Sequence, residues 1–391
     1  MAAQRPLVVV DLQGQWRLDD QPSLARAMAS AMAMAELGDP KSLRLGVTGG
    51  PSQARPLQGP HQSKLTKQAI KGLKARLPSL GIEWLEDQSE LVAGVSEVGR
   101  CGPNRLFASP PIPLESFPRV FADFRRQLAA NGPVEVEAPI GGNSGIDAAI
   151  DGASRSDGDS RSSFPFAGDE LSALRHLQHF VHGSAGLRNY KQTRNGLSGV
   201  GFSSKFSVWL SIGTLSVRRI WAEVLSYQAI NGEDEGSQAM QQELLWREFF
   251  IWLELANPKN FDQLGGIQGR SYEYLEDRDL FANWCHGNSG NPLIDAALKE
   301  LNSTGYLSNR VRQWVASDFV HRLRLPWLWG ARWFAWQLID STPSQNIGNW
   351  SYLAGVGADP RSFGSAGPRY FDLEKQLKIY DPRGSYLKLW S

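Results

Sequence analysis

Apolar positions in the first part of the chain come in short runs set apart by helical stretches. "LVVVDL" (7–12), "SLRLGV" (42–47) and "IEWLE" (82–86) read as buried strands. Between them "PSLARAMASAMAMAEL" (22–37) and "SKLTKQAIKGLKARL" (63–77) carry apolar residues at helical spacing. Strand, helix, strand, helix, strand predicts a small parallel α/β layer of Rossmann-like type with three strands. A helix over "LESFPRVFADFRRQLAAN" (114–131) follows, then "GGNSGIDAAIDGASRSDGDSRSS" (141–163), a Gly/Ser/Asp linker without apolar periodicity. From Phe164 the rhythm turns helical. "ELSALRHLQHFV", "FSVWLSIGTLSVRRIWAEVL", "MQQELLWREFFIWLEL", "PLIDAALKEL", "NRVRQWVASDFVHRL" and "GARWFAWQLI" all present apolar residues three and four apart. The predicted organisation is α/β plus all-α: a small α/β domain over 1–100, a connection over 101–163 and an all-helical domain over 164–391.

At 391 residues the chain exceeds one ordinary core, which agrees with two domains. No apolar run reaches the roughly 18 residues of a membrane span. The opening "MAAQRPLVVVD" lacks the order of a secretory signal. Cys101 and Cys285 are too few for a disulfide framework, so a reducing, cytoplasmic setting is expected. The net charge of +1 points to no partner, although residues 301–391 hold 11 Lys/Arg against 6 Asp/Glu. Twelve of the 14 tryptophans lie beyond residue 200, so the two halves are chemically different.

The helical half contains four polar constellations. Gly201, Ser203, Ser204 and Ser207 precede a helix, an arrangement that suits either an anion seat or a plain N-cap. Glu243, Trp246 and Arg247 share one helical face. They are either a surface ion pair beside an indole or part of a binding wall. Asn309, Arg310 and Arg312 open a helix, where cations need an anion in return: a carboxylate such as Asp340, or phosphate. After Trp333 and Trp336 come Ser341, Thr342, Ser344, Gln345, Asn346 and Asn349, short polar groups that an ordinary packed turn does not require. The tryptophans of 324–340 fill a core or relay single electrons, and spacing alone does not choose. No metal-ligand pattern, nucleophile elbow, P-loop or GxGxxG is present, which removes support from hydrolase and nicotinamide-enzyme readings.

Taken in order, "FPFAGDELSALRHL", "YKQTRNGLSG", "SSKFSVWLSIGTLS", "ELLWREFF", "GGIQG", "WCHGNSGNPLIDAALKELNSTGYLSNRVRQWVAS", "GNWSYLAGVGADPR" and "YDPRGSYLKLW" resemble the flavin-binding half of the photolyase/cryptochrome family, most closely its DASH-type members. The match at residues 7–28 and 59–81 is looser. The resemblance implies FAD bound within the helical domain. It assigns Tyr190, Ser203, Ser204 and Ser207 to the pyrophosphate end and Lys205 and Phe206 to the cofactor site, with Glu243 and Arg247 on the substrate and phosphate sides. It sets Asn309 and Arg312 near the isoalloxazine with Arg312 paired to Asp340, and Asn346 against N5. Trp350, Trp327 and Trp284 match electron-relay tryptophans running from the flavin to the surface, while Trp329, Trp333 and Trp336 are left as core. For substrate it implies a pyrimidine dimer flipped from DNA, bracketed by Trp246 and Tyr352 and bonded by Glu243. Arg194 and Arg310 would take flanking phosphates.

Several departures sharpen these expectations. Thr342 stands where the family has an Asp, which bears on flavin redox tuning. Ser308 replaces a His of photolyases for the (6-4) lesion. Gln313 resembles DASH members and favours single-stranded DNA. Two cysteines exclude the iron–sulfur branch. Between residues 85–94 and 104–118 about two β-α units of longer members are missing, so the α/β domain is expected to be truncated and an antenna chromophore (folate or deazaflavin) absent. The leading expectation is a monomeric, light-driven lyase for cyclobutane pyrimidine dimers. The alternatives are a blue-light photoreceptor without repair and a flavin-bearing DNA-binding protein that has lost catalysis.

Overall fold

The computed structural model of the chain describes residues 7–12, 15–21, 24–29, 44–48, 58–80, 82–85, 95–100, 104–131, 136, 158–363 and 368–391. Cys101 and linker residues 141–157 lie outside them. Four short strands, β1 (Leu7–Asp11), β2 (Arg44–Thr48), β3 (Ile82–Trp84) and β4 (Val95–Arg100), form one parallel sheet in the order β3-β2-β1-β4. Parallel neighbours need a crossover between them, and α1 (24–29) and α2 (Pro60–Arg76) stand at those places in the chain. The sequence predicts three strands, and β4 is the correction. "VSEVGR" places Glu, Gly and Arg within six residues, too polar to read as a buried strand. It occupies the sheet edge beside β1, where only one side needs a partner.

The rest is helical: α3 (Phe121–Ala130), α4 (Glu170–Gln178), α5 (Tyr190–Thr193), α6 (Phe206–Ser211), α7 (Val217–Asn231), α8 (Glu235–Ala256), α9 (Arg278–Cys285), α10 (Pro292–Thr304), α11 (Asn309–His321), α12 (Trp327–Gln337), α13 (Pro343–Leu353), α14 (Leu373–Tyr380) and α15 (Ser385–Trp390). Capping is written into the sequence. Asp234 and Ser237 form a reciprocal capping box at α8, and Asn291 and Ser308 cap α10 and α11. Two predicted helices are interrupted. Residues 206–225 break into α6 and α7, because Gly213 takes φ 76° and Ser216 starts a new helix by accepting from the Arg218 and Arg219 amides. Residues 114–131 divide into a 3₁₀ turn and α3 around Pro118, whose ring cannot continue a helix.

Burial ignores the expected boundaries. Val10, Leu12, Val47 and Ile82 join Phe164, Trp209 and Ile220 in one buried cluster. Polar bonds tie the 15–21 loop to the helices as well. Glu170 accepts from the Leu18 and Asp19 amides at 2.8 and 2.6 Å, and Arg219 and Arg218 pair with Asp19 and Asp20 at 2.6 and 2.8 Å. Folded structure also begins ahead of Phe164, since Ser163 is fully buried and accepts from the Gly199 amide. Trp336 corrects another expectation. It is 44% exposed rather than core, its carbonyl facing Gly59, where a Cβ would lie 1.5 Å away.

Candidate functional site

A cavity of about 450 Å³ opens among α5, α6, α8 and α11. One wall is the loop before α6. Ser203 (φ 59°) and Lys205 (φ 60°) both adopt left-handed backbone, at a cost of about 1–3 kcal/mol each for residues other than glycine. The loop is held by His176, whose Nε2–H donates to the Ser204 carbonyl at 3.0 Å. Burial pushes the His176 pKa down to about 4, so this ring is neutral and the bond fixes its tautomer. Ser203, Ser204, Lys205, Phe206 and Ser207 all line the cavity, as does buried Tyr190. Lys205 is itself buried. Its Nζ lies 3.2 Å from the centre of the Phe202 ring and has no hydrogen-bond partner, and burial holds its pKa well below the usual lysine value.

The opposite wall comes from α11 and the 338–349 stretch. Arg312 Nη2 meets Asp340 Oδ2 at 2.9 Å, and the Ser207 hydroxyl donates to the same oxygen at 2.7 Å. Asp340 Oδ1 is buried with no partner. Asn309, Thr342, Gln345 and Asn349 line both this cavity and an adjoining one of about 80 Å³, and Ser341, Asn346 and Trp350 line the smaller one. So most of the short polar groups after Asp340 face open space. Ser344 is the exception, donating to Glu254. Asn346 has its amide anchored, with Nδ2 donating to the Ala331 carbonyl at 2.7 Å.

The large cavity also receives Glu243, Trp246, Arg247, Arg310, Gln313 and Tyr352. Glu243 and Arg247 do not pair with each other across the helix turn. Glu243 bonds Arg194, and Arg247 meets Glu248 at 3.3 Å. Burial raises the Glu243 pKa, with Arg194 opposing. Trp246 and Tyr352 meet edge-to-face, centroids 6.3 Å apart at 81°, and so form a corner rather than two parallel walls. Arg310 donates to Asn195 at 2.9 Å. Arg369 is a lining residue that the sequence reading missed; it sits 5.8 Å from the Tyr352 ring, and nothing in "GPRYF" signals it.

The expected tryptophan series needs a correction. Trp350 is buried at the wall of the smaller cavity, but Trp327 and Trp284 are fully buried and touch neither cavity. Trp284 therefore cannot be the surface end. It packs edge-on to Phe319, which in turn meets Trp350 at 5.6 Å. Gly330 gives Trp350 its seat, since a Cβ there would lie 2.3 Å from the indole.

Behind the cavity, Glu300 is fully buried and accepts from the Tyr386 hydroxyl at 2.5 Å. Burial pushes its pKa up to about 8 from 4.5. A raised folded-state value means that its stabilising contribution is complete below about pH 4.5 and is lost as pH rises toward 8. His176 shifts the opposite way but is common to wild type and variant, and Lys205, which acts on Glu300 directly, pulls the Glu300 pKa down against burial. Glu300→Gln is therefore expected to gain about 2 kcal/mol relative to wild type between pH 6.5 and 8, read from urea midpoints across that window.

The residues present fit a flavin dinucleotide. The cavity size is that of a cofactor site, serine hydroxyls and a buried amine gather along one wall, and Asp340 Oδ1 and Lys205 Nζ are buried polar atoms that want partners. Among the described residues no cluster of His, Cys, Asp and Glu could hold a metal, and no helix is long and apolar enough to cross a membrane.

Residues 240–391 match the family described as the FAD binding domain of DNA photolyase. The Cryptochrome DASH of Idiomarina loihiensis is 42% identical over 74% of this chain and 64% of its own length. That of Natronomonas pharaonis is 31% identical over 98% of this chain and 89% of its own. The chain thus spans less than two thirds of the Idiomarina protein. The crystal structure of a cryptochrome from Synechocystis sp. PCC6803 superposes with a TM-score of 0.82 at 28% identity, covering 100% of this chain and 89% of that one.

Proposed function

This chain belongs to the photolyase/cryptochrome family, and on that footing we propose that it is a light-driven lyase that splits cyclobutane pyrimidine dimers, preferring single-stranded DNA. The observation that carries the reading is the convergence of Glu243, Trp246 and Tyr352 on the same cavity as Ser203, Ser207, Arg312 and Asp340, so that a substrate group and a cofactor group share one space. FAD, held by the serine loop and the Arg312–Asp340 pair, supplies a light-excitable one-electron donor when bound. The protein's part is positioning. The corner made by Trp246 and Tyr352 suits a folded pair of pyrimidines better than a flat base. Glu243, whose pKa burial raises and Arg194 pulls back, lines the cavity where it would bond a pyrimidine carbonyl. Arg194, Arg310 and Gln313 meet the flanking strand, whose phosphates draw cationic side chains. Trp350, at the wall of the smaller cavity, would pass an electron toward the bound flavin, with Trp327 and Trp284 in the same buried cluster as further members of the relay and an external reductant refilling the oxidised indole, while Asn346 lines that same cavity.

The four-strand layer is read as the shortened α/β domain of residues 1–100, joined through 101–163 to the flavin domain of 164–391, without an antenna chromophore. The protein acts as a monomer in a reducing compartment. A second reading, a blue-light photoreceptor without repair, is favoured by Trp350, which is buried beside the cavity and needs no DNA to pass an electron. One experiment separates the two. A photoreduced sample is mixed with a single-stranded oligonucleotide carrying one cyclobutane thymine dimer and exposed to blue light. Light-dependent loss of the dimer is expected, and Glu243→Ala should slow it about 100-fold with flavin content unchanged. Survival of the dimer beside a bound, photoreducible flavin would leave the photoreceptor.

A further inference from the structure

Trp246 is held from behind. Phe121, from the connecting segment before the helical half, stacks on its indole with centroids 3.7 Å apart and planes 15° from parallel. Phe249 meets the indole edge-on at 5.7 Å, Phe250 packs at 5.5 Å and Tyr352 at 6.3 Å. Phe121 is buried and is no part of the cavity wall, whereas Trp246 is. One face of the indole is thus closed by Phe121, Phe249, Phe250 and Tyr352 pack around it, and part of what is left lines the cavity.

We propose that Phe121 is a positioning residue of the substrate site: it fixes the Trp246 indole so that its free surface is ready to stack on a flipped pyrimidine. The inference rests on the DNA reading above for the identity of the ligand, but not for the stack itself. The sequence around it explains how the ring is delivered. Pro118 ends the preceding 3₁₀ turn, and α3 starts at Phe121, so the ring leaves the first helical position toward α8. Phe117, Phe124 and Phe249 anchor α3 in an aromatic cluster. The connection between strand layer and helices is therefore part of the site. A rigid aromatic partner lowers the entropy lost when a base stacks, and a stacked pair contributes beyond its buried area.

The test compares Phe121→Leu with Phe124→Leu and Phe121→Tyr, each as the full chain with its flavin. Phe124 is equally buried in the same cluster and makes no ring contact with Trp246, so it controls for lost packing. One readout is ¹⁹F NMR of protein labelled with 5-fluorotryptophan, the Trp246 resonance being assigned with Trp246→Phe. The other is dark binding of the dimer-bearing oligonucleotide by fluorescence anisotropy. A single narrow Trp246 line is expected in wild type, Phe124→Leu and Phe121→Tyr, and a broadened or split line in Phe121→Leu. Binding should weaken about 3- to 10-fold in Phe121→Leu alone. A Trp246 line unchanged in Phe121→Leu, or disturbed equally in Phe124→Leu, overturns the proposal. If wild type fails to bind the oligonucleotide while the line responds as expected, the DNA reading falls and the positioning role stands.

Discussion

Asp340→Ala is expected to yield a protein that folds but no longer retains its flavin. Asp340 Oδ2 takes both the Ser207 hydroxyl and the Arg312 guanidinium, so this one carboxylate joins the first turn of α6 to α11 and to the turn after α12. Oδ1, buried and without a partner, is free to accept from the cofactor. Removing one side of a buried, hydrogen-bonded ion pair costs about 3–5 kcal/mol, which corresponds to about a 150- to 4,000-fold loss of affinity if it falls on flavin binding. It also leaves Glu300 as the remaining acid that acts on both Arg312 and the buried Lys205. Asp340→Asn retains an acceptor but not the charge, and should fall between. The ratio of flavin to protein absorbance after gel filtration, alongside a thermal melt, checks both. An alanine variant that keeps stoichiometric flavin would show that the Arg312–Asp340 pair serves packing alone.

The legible part of this site lay in residue types whose chemistry conflicts with their surroundings. Arg312 near a helix start needed an anion, and Asp340 was within the sequence's own suggestions. The polar run after Trp336 was too hydrophilic for a turn between packed helices, and most of it does face cavity. Helix existence was equally readable, because α8, α10 and α11 combine apolar spacing with Asp, Asn or Ser caps. What failed was pairing and depth. Glu243 and Arg247 have the spacing of an ion pair, yet tertiary neighbours Arg194 and Glu248 claimed each of them. The spacing of the tryptophans gives no indication that Trp284 is sealed inside, nor that Trp336 is exposed. Phe121 and Arg369 reach the site from segments whose patterns are those of any amphipathic helix or loop, so only folding reveals them. β4 was invisible because an edge strand can satisfy the sheet through backbone bonds alone.

Glu248 went unremarked for a related reason, and its removal should be among the most destabilising single changes in the molecule. Adjacent residues on a helix point in different directions, so the sequence "WREFF" suggests no role for Glu248 beside Arg247. In the fold Glu248 is fully buried. It accepts from the Leu106 amide at 2.9 Å and the Trp252 indole at 3.2 Å, and it meets Arg247 at 3.3 Å. Arg17 and Arg105 add positive charge around Arg247, and Arg105 also lies 4.7 Å from the Trp252 ring. One buried carboxylate thus acts on both Arg247 and Arg105 and holds the segment at 106 onto α8. Burial raises its pKa against the pull of Arg247, so the site already bears a desolvation cost that only the complete network offsets. Glu248→Ala leaves Arg247 buried without its anion and the Leu106 amide without an acceptor, for an expected loss of about 3–5 kcal/mol. Glu248→Gln keeps one acceptor oxygen and should lose less. Urea unfolding checks this: the midpoint should fall with the slope unchanged if the native state keeps its extent. A fall in slope as well would mean that the 104–131 segment has come away from α8, and Phe121 with it, so the same variant would then disturb the Trp246 resonance.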